Sequence, residues 1–197
     1  QLSRGLGDVY KRQELQQQLG GIFSIPFWSG HLDIEIELPT EFDESNIVQK
    51  TYPELTDMTM NIVQDICEQM GMVRQEVKLN DMWVNRYDKN RMHLDHHYHQ
   101  NCAWTGTYFP EDSNHSLTIH NPMAGLYQGH YPKVERPTGW NLNYIQLNDC
   151  KKGYCIIHPS YLAHHVWWNG TKPSHSISFD IAYQLPIGDK DFGSYSE

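Results

Sequence analysis

His175-Ser176-Ile177-Ser178-Phe179-Asp180-Ile181-Ala182-Tyr183 places Ile177, Phe179 and Ile181 on one side of an extended chain and Ser176, Ser178 and Asp180 on the other, because successive side chains of a strand point to opposite faces. It is the last of a series. Working back from it, stretches 77–87, 97–109, 116–120, 142–147, 153–158 and 165–168 also read as short strands, punctuated by Pro, Gly and Asn turns at 110–114, 121–129, 132–139 and 169–173. Many short strands with no helix between them predict a double-sheet antiparallel barrel. Upstream, Ile22 to Leu38 reads as early strands, strictly alternating from Leu32 onward. Leu55, Met58, Ile62, Ile66 and Met70 then recur every three or four residues, predicting one helix over 53–70 that Gly71 ends. The expected class is mainly β with a flanking helix (α+β).

The chain has 197 residues, which suits one domain better than two. We expect residues 14–197 to form it. Residues 1–13 (QLSRGLGDVYKRQ) are polar and aperiodic and read as a non-native or disordered leader. The net charge of −9 disfavours nucleic acid, whose phosphates call for clustered Lys and Arg. No apolar run approaches the roughly 20 residues of a spanning helix, and the mean hydropathy is −0.66. Cys67, Cys102, Cys150 and Cys155 show neither a CxxC pair nor a disulfide framework, so a reducing cytoplasm is expected. With 6 Trp, 12 Tyr and 6 Phe, an exposed aromatic surface would make a homodimer unsurprising.

Histidines crowd one segment. The run Asp95-His96-His97-Tyr98-His99-Gln100-Asn101 places His97 and His99 two apart, hence on one face of a strand, and His164 follows far along the chain in Pro159-Ser160-Tyr161-Leu162-Ala163-His164. Three protein ligands on one side of a metal leave the opposite side open, the arrangement of oxygen-activating iron enzymes. Alternation alone leaves His93 and Asp95 open, since both would share that face. The position of the pair relative to Trp104-Thr105-Gly106-Thr107-Tyr108 favours His97 and His99. His165 would face the other way.

From Trp83 to Asp180 the chain offers, in order, Trp83-Val84-Asn85, His97-Tyr98-His99-Gln100-Asn101, Thr105-Gly106-Thr107-Tyr108, Asn121-Pro122, Gly153, the run His158-Pro159-Ser160-Tyr161-Leu162-Ala163-His164-His165-Val166, and Ser176-Ile177-Ser178-Phe179-Asp180. This succession resembles the 2-oxoglutarate/Fe(II) oxygenases of the prolyl-hydroxylase-like group found in bacteria and marine phages. The resemblance implies that the barrel is a double-stranded β-helix, a jelly-roll of the cupin-like kind, that His97, His99 and His164 bind Fe(II), that 2-oxoglutarate is the cosubstrate, and that an unidentified substrate, a small molecule or a protein side chain, is hydroxylated with release of succinate and CO2. It further implies cosubstrate contacts from Asn85, Tyr87, Tyr108 and Ser176, with Asp95 or Asp180 fixing a histidine tautomer.

One departure stands out. Where the family carries an arginine for the far carboxylate of 2-oxoglutarate, this chain has Ser174. Lys172, Arg86 and Arg136 are the candidate replacements, since an unpaired buried carboxylate is costly. The missing cation keeps two rival readings open: a cupin-like three-histidine metalloenzyme without 2-oxoglutarate, and a non-catalytic jelly-roll binding sugar or peptide through its aromatic residues.

Overall fold

The computed structural model describes residues 25–72, 76–124 and 143–184. The leader at 1–13, Arg136 and most of the irregular stretch 121–140 lie outside them. Ten strands fall in the order β1 (Trp28–His31), β2 (Ile47–Gln49), β3 (Val77–Tyr87), β4 (His93–His97), β5 (Trp104–Tyr108), β6 (His115–His120), β7 (Tyr144–Leu147), β8 (Tyr154–Pro159), β9 (His164–Trp168) and β10 (Ser174–Tyr183); helix α1 (Pro53–Gln69) lies between β2 and β3.

The strands form two sheets, ordered β1-β8-β5-β10-β3-β2 and β4-β9-β6-β7. From β3 to β10 the chain visits the large sheet, the small one, the large one and the small one, turns back through β7, and retraces the alternation through β8, β9 and β10. Each strand of the second half is laid antiparallel beside one of the first, β10 with β3 and β5, β9 with β4 and β6, β8 with β5. That interleaving is the double-stranded β-helix, as expected from the sequence.

Helix α1 starts with Pro53 in its first turn, where a missing N–H costs nothing, and stops at Gly71, whose φ of +74° suits glycine. It buries Leu55, Val63, Ile66 and Cys67 against the large sheet, where Val84, Tyr108, Ile177, Phe179 and Ile181 meet it. The apolar side of β10 therefore faces the helix, and its polar side faces the space between the sheets. Gly106 of β5 is required at that contact: a Cβ there would run into the Phe179 ring. Leu32 to Leu38 keep the predicted alternation, with Leu32 and Ile34 buried and Asp33 and Glu35 exposed, yet no ladder partner runs alongside them beyond β1.

The stretch 97–109 is not one strand. It holds the end of β4, in the small sheet, a connection, and β5, in the large sheet. Among the described residues no helix is long and apolar enough to cross a membrane.

Candidate metal centre

β4 carries a register irregularity between Leu94 and His97. Without it, two residues three apart would face opposite sides; with it, both Leu94 and His97 line the interior. His97 ends β4 and pairs directly with His164, the first residue of β9. His99 lies past the strand, anchored by its backbone N–H, which donates to Ser160 O at 3.1 Å. The ligand nitrogens of these three rings all lie within 4.8 Å of one another.

Each ring is held by its Nδ1. That atom meets the carbonyl of Asp95 in His97 (2.7 Å), the carbonyl of Leu162 in His164 (3.1 Å) and Asp180 Oδ1 in His99 (2.7 Å). Carbonyl and carboxylate oxygens only accept, so all three Nδ1 atoms carry a hydrogen, and in the neutral form of each ring Nε2 keeps a free lone pair. His99 Nε2 is buried and has no hydrogen-bond partner. A buried acceptor without a donor is costly, and a cation gathered by all three Nε2 atoms removes that cost. Burial, together with repulsion from His158 and His97, pushes the His164 pKa down to about 2, and burial also lowers that of His97. Neutral imidazoles are the form that binds metal.

Of the two carboxylates considered for fixing a tautomer, Asp180 does so for His99. Asp95 serves His97 through its backbone carbonyl, while its own side chain is 92% exposed beside His93. Trp83 stacks on His99, centroids 5.6 Å apart. His165 faces outward, as the alternation requires.

Beneath the histidines a narrow slot runs between the sheets. Thr107, Ser176, Ser178 and Tyr87 give one wall hydroxyls, and Leu94, Leu117 and Val166 make the other aliphatic. Asn85 is buried at the polar wall, donating to Ser178 Oγ at 3.0 Å. Tyr87 is fully buried and hydrogen-bonds Ser176, and burial raises its phenol pKa. Asn85, Tyr87 and Ser176 are thus brought together below the three histidines.

Tyr108 is not. It sits on the helix side of β5 among the α1 contacts and donates to Ile34 O at 3.1 Å. Alternation along β5 turns Thr107 inward instead, so the expected contact of Tyr108 with a cosubstrate is corrected.

The missing arginine also has a physical counterpart. Ser174 is buried against His115, Oγ to Nδ1 2.8 Å, and His115 packs on Tyr87 and Phe109. Burial pushes the His115 pKa down to about 4, so this end of the slot is closed by a neutral pair. Neither described candidate fills the role: Arg86 is paired with Asp88 at 3.1 Å and Lys172 is exposed. Arg91, from the β3–β4 turn, does reach the slot wall. It donates to Asn85 Oδ1 and to Asn46 O, both at 3.3 Å, and its guanidinium lies 5.5 Å from the Tyr87 ring centroid. Sequence reading missed it because a turn residue's long side chain leaves no periodic signal.

Among solved structures, the chain is similar to the non-heme alpha ketoglutarate dependent epimerase SnoN from nogalamycin biosynthesis (15% identity, 92% of this chain and 78% of that one, TM-score 0.46). It is also similar to AviO1 from Streptomyces viridochromogenes Tue57 (13% identity, 90% and 82%, TM-score 0.45). A third similarity is to the viral collagen prolyl hydroxylase vCPH from Paramecium Bursaria Chlorella virus-1 (12% identity, 91% and 83%, TM-score 0.43). No curated protein matches. The family described as "Putative 2OG-Fe(II) oxygenase" matches residues 81–180, a stretch that opens two residues before Trp83 and closes on Asp180, and the chain belongs to that family.

Proposed function

We propose that this chain is a 2-oxoglutarate-dependent dioxygenase that holds Fe(II) on His97, His99 and His164 and seats its cosubstrate in the slot beneath them. The observation that carries the reading is the convergence of three imidazoles whose ligand nitrogens lie within 4.8 Å of one another, each ring locked through Nδ1, with His99 Nε2 buried and unpartnered. When bound, the iron and the 2-oxo acid supply the oxygen activation, with succinate and CO2 as co-products of substrate hydroxylation.

The chain's own residues bind, orient and keep water out. Asp180 holds the His99 ring in the tautomer that presents Nε2. Ser176 and Tyr87 line one wall with hydroxyl groups for a carboxylate, and Arg91, which donates to the buried Asn85, supplies the positive charge that Ser174 does not. Leu94, Leu117 and Val166 give the methylene chain an apolar wall and exclude water. The substrate is a small molecule or a protein side chain, and the compartment the cytoplasm, where four unpaired cysteines stay reduced.

Anaerobic titration with Fe(II) and 2-oxoglutarate tests this. A metal-to-ligand absorption band present only with both added is the expected result. Iron binding that 2-oxoglutarate leaves unchanged would instead favour the metalloenzyme without that cosubstrate.

A further inference from the structure

The dipeptides His96-His97 and His164-His165 each send one ring into the barrel and the other out through the opposite face of the small sheet. The outward rings meet a third imidazole there, His120, the last residue of β6. His120 Nε2 lies 2.9 Å from His165 Nδ1. The His96 ring stands edge-on to His120 with centroids 4.4 Å apart, and lies 6.4 Å from His165. These residues come from three adjacent strands, β4, β9 and β6.

We infer that His96, His120 and His165 form a second metal site, taking a transition-metal dication of the zinc type on the outer face of the sheet. The separation of one nitrogen pair supports it; among the described residues only His97, His99 and His164 already hold their ligand nitrogens within 4.8 Å of one another, so the outer trio closes when the exposed His96 ring turns towards the pair. Two imidazoles bound side by side to one ion at about 2.0–2.1 Å stand about 3 Å apart, so an ion can replace the proton that His120 and His165 share. Donor chemistry sets the class: three imidazoles suit zinc, nickel or copper, whereas calcium and magnesium require oxygen donors, and none of the ion pairs among the described residues brings a carboxylate to these rings. The frame is fixed by the ladder. Thr118 pairs with His165, and the His120 N–H donates to Ala163 O at 2.8 Å, which places both rings on the outer face at a set separation. His96 follows Asp95 within the irregular segment of β4 and is exposed, so it can close on an ion entering from solvent. Such an ion would clasp the strands that carry the inner histidines.

The test counts ions. Full-length chain stripped of metal is loaded with Zn(II), passed through chelator-free gel filtration and analysed for metal content, with circular dichroism confirming the fold of each variant. The wild-type chain is expected to retain two ions. His120→Gln and His165→Gln each retain one, and His164→Gln also retains one, while His120→Gln combined with His164→Gln retains none. A wild-type chain holding one ion that His164→Gln loses and His120→Gln keeps would overturn the outer site and leave the inner one standing. Two ions lost only on changing His120 or His165 would instead overturn the inner assignment. Zinc that leaves the wild-type outer site on the column overturns the inference as well.

Discussion

Replacing Asp180 by Asn isolates the one carboxylate, among the described residues, that touches a candidate ligand. Its Oδ1 accepts from His99 Nδ1 at 2.7 Å, and the two side chains are 14% and 9% exposed. Across the ring, the carboxylate stands roughly 7 Å from an ion bound at Nε2. A single negative charge facing a +2 ion at that distance is worth about 5 kcal/mol at an effective dielectric constant of about 20. That is an upper bound, because Asn retains a hydrogen-bonding side chain and because burying the carboxylate in the metal-free chain has its own cost. Partners that orient a ligating histidine typically account for about 10- to 100-fold in metal affinity, or about 1.4–2.8 kcal/mol.

We therefore expect Asp180→Asn to weaken Fe(II) or Co(II) binding by that factor, measured anaerobically by competition with a chromophoric chelator. Asp95→Asn is the matched control. His97 uses the Asp95 backbone carbonyl, which the substitution leaves in place, so affinity should change less than about twofold. Equal metal affinity of Asp180→Asn and wild type would refute the orienting role, and a loss confined to Asp95→Asn would show that the carboxylates had been assigned the wrong way round.

Arg91→Ala is expected to raise the dissociation constant for 2-oxoglutarate by about tenfold or more, as for a lost charge-assisted hydrogen bond, while leaving pyruvate, which lacks the far carboxylate, unaffected in the same anaerobic absorption titration. Tyr108→Phe should leave 2-oxoglutarate affinity unchanged and cost about 1–2 kcal/mol in urea unfolding, because Ile34 O loses its buried donor. Gly106→Ala should cost about 1–3 kcal/mol by the same measurement, since the Phe179 ring must move. His115 titrates at about 4 when folded and near 6.5 when unfolded, so the unfolded chain binds the extra proton first. Its contribution is complete above pH 6.5 and is lost as pH falls towards 4. Urea midpoints of the metal-free chain should drop across that window, and His115→Asn should flatten the drop.

The histidine trio could be picked out because residue type and chain order carry the information, and β10 and α1 were legible because their periods are clean. Two readings failed for separate physical reasons. Alternation divides a strand into two faces without saying which one borders the cavity, and here the large sheet is buried on both. Tyr108, which the family resemblance implied as a cosubstrate contact, follows Phe179 and Ile181 to the helix side while the shorter Thr107 faces the slot. His99 was assigned to the start of a continuous strand, yet β4 ends at His97 and the chain crosses to the other sheet before β5. A change of sheet within seven residues leaves no compositional trace. Arg91 was invisible for a third reason: its role depends on the reach of a long side chain from a turn.

An all-imidazole ligand set changes how metal and cosubstrate depend on each other. Three neutral imidazole ligands would leave the full double charge of iron in the slot, offset among the described residues by Asp180 one ring away. A dianion that chelates the metal then does electrostatically what a carboxylate ligand would otherwise do. The two bindings must be coupled, and by thermodynamic linkage the factor by which 2-oxoglutarate tightens iron equals the factor by which iron tightens 2-oxoglutarate. His99→Asp would supply the missing charge from the protein and should shrink that factor even where iron itself still binds. Measuring both affinities in both variants closes the cycle, and an unchanged coupling in His99→Asp would show that the charge of the ligand set does not govern cosubstrate capture.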